Sequence, residues 1–310
     1  MRVVFLGTPE FAVPSLRALA NQHEVAAVYT QPDRPKGRGN QLAESPVKVA
    51  AKELGLPVLQ PERIRRAENF EPLKERHAEM MVVVGYGQII PQQIIELPRY
   101  GILNVHASLL PKYRGAAPIQ WAIANGETET GVTIMQIDAG LDTGDMLLKE
   151  RLAIGDAEIA PALSARLAPL GAQLLIEAIR QSEAGTLRRE KQQNEDASLA
   201  PILKKEDGLV DWQCSARYVY NRWRGFNPWP GAYSTFRGQQ ISITGMRFAE
   251  RTADIPGRVW AEKRRLYTGC GNETVLELLE VQLAGKKRMS AEAFLNGYTL
   301  AEDETLGEKS

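Results

Sequence analysis

Asn104 and His106 stand two residues apart in GILNVHASLLPKYRGAAPIQW, residues 101–121. An asparagine amide can donate a hydrogen bond to an oxygen that gains negative charge. A histidine can move a proton near neutral pH. On a strand, positions i and i+2 leave the same face, so both side chains can act on one reacting group. The chemistry this suggests is addition of an amine to a carbonyl-type carbon, with the tetrahedral oxygen stabilised and the amine deprotonated. A lone strand-end histidine is more often a hydrogen-bonded structural residue, so a third member is needed to orient or charge it. AGLDTGDM, residues 139–146, supplies Asp142 between Gly140 and Gly144 in a tight loop. A turn aspartate is common in such loops. Asp145 is the rival carboxylate, but it opens the following strand and is less free to aim into a cleft.

A second stretch carries charge rather than catalysis. QPDRPKGRGNQL, residues 31–42, places Arg34, Lys36 and Arg38 among prolines and glycines. It is too polar and Gly-rich to pack. It reads either as a solvated loop or as a basic finger for the phosphates of a nucleic acid.

These residues need a scaffold. Short apolar runs over 2–6, 24–31, 58–60, 79–87 and 102–107 predict strands, and helical spacing over 11–21, 47–55, 89–97 and 118–126 predicts helices between or after them. EMMVVVGYG is the most continuous apolar run, as expected of a strand buried on both faces of a parallel sheet. The alternation argues for a doubly wound α/β sheet. Ligands in such sheets bind outside the carboxyl ends of the strands, which is where Asn104 and His106 stand. Two further strands are expected over 131–137 and 145–154, and a long helix over 158–184. The polar stretch 185–208 reads as a linker. From LVDW onward, short turn-separated strands predict a small β-barrel or sandwich over 209–310, with the acidic tail AEDETLGEKS frayed.

Composition narrows the class. The chain has 310 residues, 44% hydrophobic and 25% charged, as expected of two soluble globular domains. Its net charge is zero, yet residues 212–290 hold 13 Lys or Arg against 6 Asp or Glu. The second domain is therefore basic, which suits a polyanion-binding module or an ordinary charged surface. Two cysteines make neither a disulfide framework nor a metal cluster and read as reduced cytoplasmic thiols. MRVVFLGTPEF is too short for a signal sequence. No apolar run comes near the ~20 residues of a membrane helix. Neither the G-x-G-x-x-G fingerprint nor a P-loop is present, so the α/β pattern does not imply a dinucleotide.

NVHASLLPKYRGAAPIQW followed by GLDTGDML resembles the signature of the folate-dependent formyltransferases. By that resemblance Asn104, His106 and Asp142 form the catalytic triad, and Ser108, Leu109, Leu110 and Pro111 form a folate-contacting turn. FLGTPEFA, TQPDRPKGRG, SPVKVAA, ETGVTIMQID and FNPWPGAY are similar to the branch of the family that acts on a charged initiator tRNA. The resemblance runs over nearly the whole chain. It implies a Rossmann-like catalytic domain (1–184), a linker (185–208) and an OB-fold-like barrel (209–310). It further implies 10-formyltetrahydrofolate as formyl donor, tetrahydrofolate as product, no metal, a cytoplasmic monomer, and methionyl-initiator tRNA as acceptor in translation initiation. The tRNA would be held by Arg34, Lys36 and Arg38, and by barrel residues such as Arg217, Arg222, Lys286 and Lys287. Three alternatives stay open: a branch acting on the amine of a nucleotide sugar, a folate hydrolase, and a non-catalytic RNA-binding protein.

Overall fold

A computed structural model describes residues 1–36 and 41–307. They fall into two compact units. The first comprises residues 1–119, 129–154 and 162–202; the second comprises 120–128, 155–161 and the chain from 203 onward.

The first unit is built on seven strands: β1 (Arg2–Gly7), β2 (Glu24–Tyr29), β3 (Val58–Leu59), β4 (Met80–Val84), β5 (Ile102–His106), β6 (Glu129–Gln136) and β7 (Met146–Ala153). Their order is β3-β2-β1-β4-β5-β6-β7. β1 to β5 are parallel and β6 and β7 antiparallel. The parallel strands are apolar along their length because helices cover both faces, and all five residues of β4 are buried. Register sets the site: Asn104 pairs with Val83 on one side and Met135 on the other, and His106 pairs with Thr133. The helix Ala160–Glu183 buries Leu163, Leu167, Leu175, Ala178 and Ile179. Contrary to the sequence expectation, one 18-residue window of it, at a mean hydropathy of 1.3 and 44% buried, matches a bilayer span by length and composition, as core helices also do. That apolarity serves the interior of the unit, because a helix sharing a core with a sheet needs a broad apolar face.

Three further expectations are corrected along the chain before the second sheet. Residues 185–202 are not a free linker; they pack within the first unit, where Leu199–Ala200 pair in parallel with Arg114–Gly115. Their polarity reflects hydrogen bonds to other loops rather than exposure alone. The basic Pro/Gly stretch contributes strands: Arg34–Lys36 and Gln41–Ala43 pair as a two-stranded antiparallel ribbon. LVDW forms no strand; Leu209 makes an isolated bridge to Tyr233, and Trp212 begins a turn.

The second unit carries β8 (Ala232–Phe236), β9 (Gln239–Ala249), β10 (Val259–Glu262), β11 (Arg265–Gly269) and β12 (Val275–Leu283), all antiparallel, in the order β8-β9-β12-β11-β10. β9 has register shifts at Ile243, Gly245 and Met246, and bulges of this kind bend a long strand so that a small sheet can coil. Its core includes Trp212, Phe236, Ile243, Leu278 and Phe294. The described part of the acidic tail, residues 301–307, is docked and not frayed. Leu306 is buried, its N–H donates to Gly257 O, and Glu304 pairs with Arg237. Much of the basic excess is balanced this way: Arg264 meets Glu292, Arg288 meets Glu280, and Arg247 and Arg265 share Glu277.

Candidate active site

β5 delivers Asn104 and His106 from one face, both buried at 8% and 5% exposure. The third member arrives on the loop between β6 and β7. Asp138 turns that loop by accepting from the Gly140 N–H at 3.0 Å and the Thr143 hydroxyl at 2.8 Å. Gly144 lets the loop press on β6, since a Cβ there would lie 1.8 Å from the Gln136 carbonyl oxygen. Asp142 itself sits at φ 51°. This left-handed position is one that aspartate tolerates better than most residues.

The Asp142 carboxylate collects three groups. Its Oδ2 accepts from the Gly115 N–H at 2.9 Å and faces His106 Nδ1 at 3.7 Å. Its Oδ1 faces Asn104 Nδ2 at 3.4 Å. The Gly115 contact is a normal hydrogen bond. The other two are longer than the usual range, which leaves the amide and the ring room to turn toward a reacting group. Asp145 does not compete: its carbonyl accepts from Gln136 N within the loop closure, and no contact joins its side chain to Asn104 or His106 among the described residues.

His106 is more constrained than its sequence position suggests. Its Nε2 donates to the Tyr113 carbonyl at 2.9 Å. Tyr113 has φ 63°, the turn geometry through which SLLPKY folds back over the end of β5. The ring thus faces an oxygen at each nitrogen, a hydrogen bond at Nε2 and a longer contact at Nδ1.

The turn 108–111 is held from inside. The Thr133 hydroxyl donates to Ser108 O at 2.7 Å and accepts from Leu110 N at 3.1 Å. The Ser108 hydroxyl donates to Lys112 O at 2.6 Å. Ser108 is fully buried, and Leu110 is buried against Met135 and Met146. Leu109 and Pro111 are half-buried, and with Leu110 they line an open cavity of mixed charge, which Lys112, Lys149 and Arg151 share with Glu129, Glu150 and Asp196. Of the four expected folate contacts only Ser108 is absent from this lining, and Asn104, His106 and Asp142 do not line it either.

Sequence reasoning missed four residues here. Gln192 donates to Asp142 O at 2.8 Å and Gly144 O at 2.7 Å. Arg114 donates to Gln192 Oε1 and Asn194 Oδ1. The Tyr113 N–H donates to the Ser198 hydroxyl. Thr133 pins the turn. Gln192 and Ser198 lie in a polar run with no periodicity, and no local signal distinguishes them from solvated residues.

The expected nucleic-acid contacts are scattered. Arg34 is exposed at the ribbon, Lys36 pairs through its backbone with Gln41, and Arg38 lies outside the described residues. The base of the ribbon is clamped: Lys48 Nζ binds Asp33 at 2.5 Å, and Gln60 donates to Asp33 and to Gln31 O. The hydrogen bond from Lys48, then that from Gln60, holds the Asp33 carboxyl below its ordinary range. In the second unit Arg217 is exposed and stacks 4.2 Å over Phe248. Lys286 and Lys287 are exposed in the turn after β12. Arg222 is occupied, donating to Asp207 O and packing over Phe226 and Trp121, so its first role is structural. Cys214 and Cys270 are both free thiols, and burial pushes Cys270 up to about 12, where it stays a neutral core residue.

Comparison with known proteins covers both units. A family described as Formyl transferase matches residues 1–179, and its C-terminal domain matches residues 202–299. A methionyl-tRNA formyltransferase of Solibacter usitatus is 59% identical over 310 residues, covering 99% of each chain. One from Koribacter versatilis is 54% identical over the full length of both chains. Among solved structures, a sugar 3N-formyl transferase, WlaRD, determined with dTDP and 5-N-formyl-THF, matches with a TM-score of 0.68 at 18% identity. It covers 93% of this chain and 99% of that one. At that identity the likeness speaks for the fold alone.

Proposed function

From the premise that this chain belongs to the formyl transferase family, with both its catalytic and its C-terminal domain, we propose that it formylates the α-amino group of methionyl-initiator tRNA. The formyl group would come from 10-formyltetrahydrofolate. The observation that carries this reading is the full-length identity of 59% and 54% to methionyl-tRNA formyltransferases, which includes the second unit. A sugar-amine acceptor is the weaker alternative, because the sugar enzyme shares the architecture at only 18% identity.

The reaction forms a bond from the methionyl nitrogen to the formyl carbon and breaks the bond from that carbon to N10 of the folate. One proton passes from the amine to N10. Asn104 has two amide hydrogens. One is directed at Asp142, and the other is the donor for the oxygen that becomes negative as the amine adds. Asp142 balances positive charge on His106 and sets the ring's rotation. Because Nε2 is committed to the Tyr113 carbonyl, the Nδ1 edge of His106 is the one left for proton transfer, directly or through a water held by Asp142. Leu109, Leu110 and Pro111 are the folate-contacting part of the turn by resemblance, with Ser108 fixing its shape. Arg34, Lys36 and Arg38 grip tRNA phosphates from the first unit. Arg217, Lys286 and Lys287 do so from the second, and Arg222 supports the helix that carries Arg217.

The test supplies labelled 10-formyltetrahydrofolate with methionyl-initiator tRNA, uncharged tRNA, a nucleotide-sugar amine, or water alone as acceptor. Label transfer to the charged tRNA alone is expected. Transfer to the sugar amine, or release as formate at equal rate without tRNA, would replace the reading.

A further inference from the structure

We propose that residues 190–200, the stretch expected to be a passive linker, form a strap whose residues Gln192 and Ser198 position the catalytic loops. The proposal rests on the triad reading above and extends it. The strap is anchored at both ends of the segment. Glu190 and Met146 exchange backbone hydrogen bonds at 2.8 Å in both directions. Further along, the Arg114 N–H donates to Ser198 O and the Ala117 N–H to Ala200 O, closing the parallel pairing with Arg114–Gly115.

Between these anchors, two side chains reach the two loops that make the site. Gln192 places its amide nitrogen between Asp142 O and Gly144 O, on the loop that carries the carboxylate. Its orientation is not free. The Arg114 Nε can only donate, so the amide oxygen of Gln192 must face Arg114, and the NH2 must face the loop. Arg114 is 7% exposed; its Nε and Nη1 donate to the neutral amides of Gln192 and Asn194, and its Nη2 is buried without a hydrogen-bond partner among the described residues. Burying a guanidinium against amides is costly. It is intelligible where the guanidinium fixes the direction of a neighbour that must hold Asp142 at φ 51°.

Ser198 acts on the other loop. Its hydroxyl accepts from the Tyr113 N–H at 2.9 Å, while the Tyr113 carbonyl accepts from His106 Nε2. One strap therefore sets the Asp142 carboxylate on one side and the His106 acceptor on the other. Gly115, which donates to Asp142 Oδ2, lies in the strand that the strap pairs with. Gln192 and Ser198 touch no reacting atom in this scheme; they are positioning residues.

The experiment compares the full-length protein with Gln192→Met, Gln192→Glu, Ser198→Ala and Ser198→Thr. Methionine keeps the volume and removes both ends of the relay. Glutamate keeps the Arg114 contact but presents acceptors to two carbonyls. Three readouts are taken: steady-state kcat and KM for each substrate, amide hydrogen exchange at Gly115 and Gly144, and urea unfolding. Both Gln192 variants are expected to lose about 10²-fold in kcat, the scale of a small misplacement of reacting groups. KM for the donor should change by less than about threefold. Exchange at Gly115 should quicken about tenfold in the same variants. Ser198→Thr should restore the kcat that Ser198→Ala loses. Overturning results are a kcat near wild type in folded Gln192→Met, a loss that merely follows the unfolded fraction, or unchanged exchange at Gly115. If one Gln192 variant does not fold, the other and the Ser198 pair still decide. If wild-type protein transfers no formyl group to any acceptor, the functional reading fails, while exchange at Gly115 still tests the strap.

Discussion

The Nε2 of His106 donates to the backbone carbonyl of Tyr113 at 2.9 Å, so one nitrogen of the central imidazole is spent on the protein itself. This separates a structural role of His106 from the chemical one proposed for it. His106→Gln keeps an N–H donor for the Tyr113 carbonyl but carries no transferable proton at neutral pH. It should unfold near the wild-type urea midpoint and lose 10²–10⁴-fold in kcat, the range for general acid–base catalysis. His106→Ala should lose the same activity and, in addition, about 1–3 kcal/mol of stability from the carbonyl left without a donor. Equal stability of the two variants would refute the structural half of the assignment.

Asn104 is assigned the donor to the developing oxyanion. Asn104→Ala should lower kcat by about 10²–10³, the cost of one such donor. Donor KM should stay within about threefold, because the interaction is made mainly in the transition state. Steady-state kinetics at saturating charged tRNA measure both, and a near-normal kcat would remove Asn104 from the mechanism.

Gly115 joins the strap to Asp142. Its φ is 123°, and a Cβ added there would lie 2.6 Å from the Ala200 carbonyl oxygen. Gly115→Ala should therefore cost about 1–3 kcal/mol by backbone strain alone. It should also reduce kcat, as the Gly115 N–H is drawn off the carboxylate. Urea unfolding and kcat on one preparation check the two effects together.

The second unit has its own acid sensitivity. Glu277 is buried and receives Arg265 and Arg247, whose hydrogen bonds hold its carboxyl below the ordinary range against the opposing effect of burial. A carboxyl with a lowered folded-state value contributes stability that is present above its unfolded value, about 4.3, and is lost as pH falls toward the folded one. Stability measured from pH 7 down to pH 3 should fall steeply below about pH 4.5 in wild type. Glu277→Gln should be less stable at pH 7, with a shallower acid limb. Parallel curves for the two proteins would contradict the assignment.

Arg38 lies outside the described residues, and its role follows from the resemblance of TQPDRPKGRG. Arg38→Ala should raise KM for the charged tRNA at physiological salt and flatten the dependence of log(kcat/KM) on log[salt]. The lost slope should be about one phosphate contact, ~0.7–0.9. Unchanged tRNA kinetics would assign the loop to solvent.

The local pattern of this chain was enough to find most of the strands, the parallel sheet and the strand that carries Asn104 and His106. Apolar runs such as MMVVV mark strands buried on both faces. Asn104 and His106 share a face by the period of two, and the Gly–Asp–Gly loop marks a backbone that must turn sharply. Family resemblance then grouped residues that spacing alone left ambiguous. What tertiary structure decided was which atoms are free. The commitment of His106 Nε2 depends on Tyr113 being folded back over β5. The burial of Ser108 and Leu110 depends on Thr133 of a different strand, and the occupation of Arg222 depends on the Asp207 carbonyl. The polar run from Glu190 to Ala200 carries no periodicity: Glu190 bridges Met146 at the start of β7, Gln192 binds the loop that carries Asp142, and Leu199–Ala200 pair with Arg114–Gly115. Hydrogen bonds between residues 50 or more positions apart, such as Gln192 to Asp142, leave no trace in local pattern, since either partner alone looks like an ordinary solvated amide or turn aspartate.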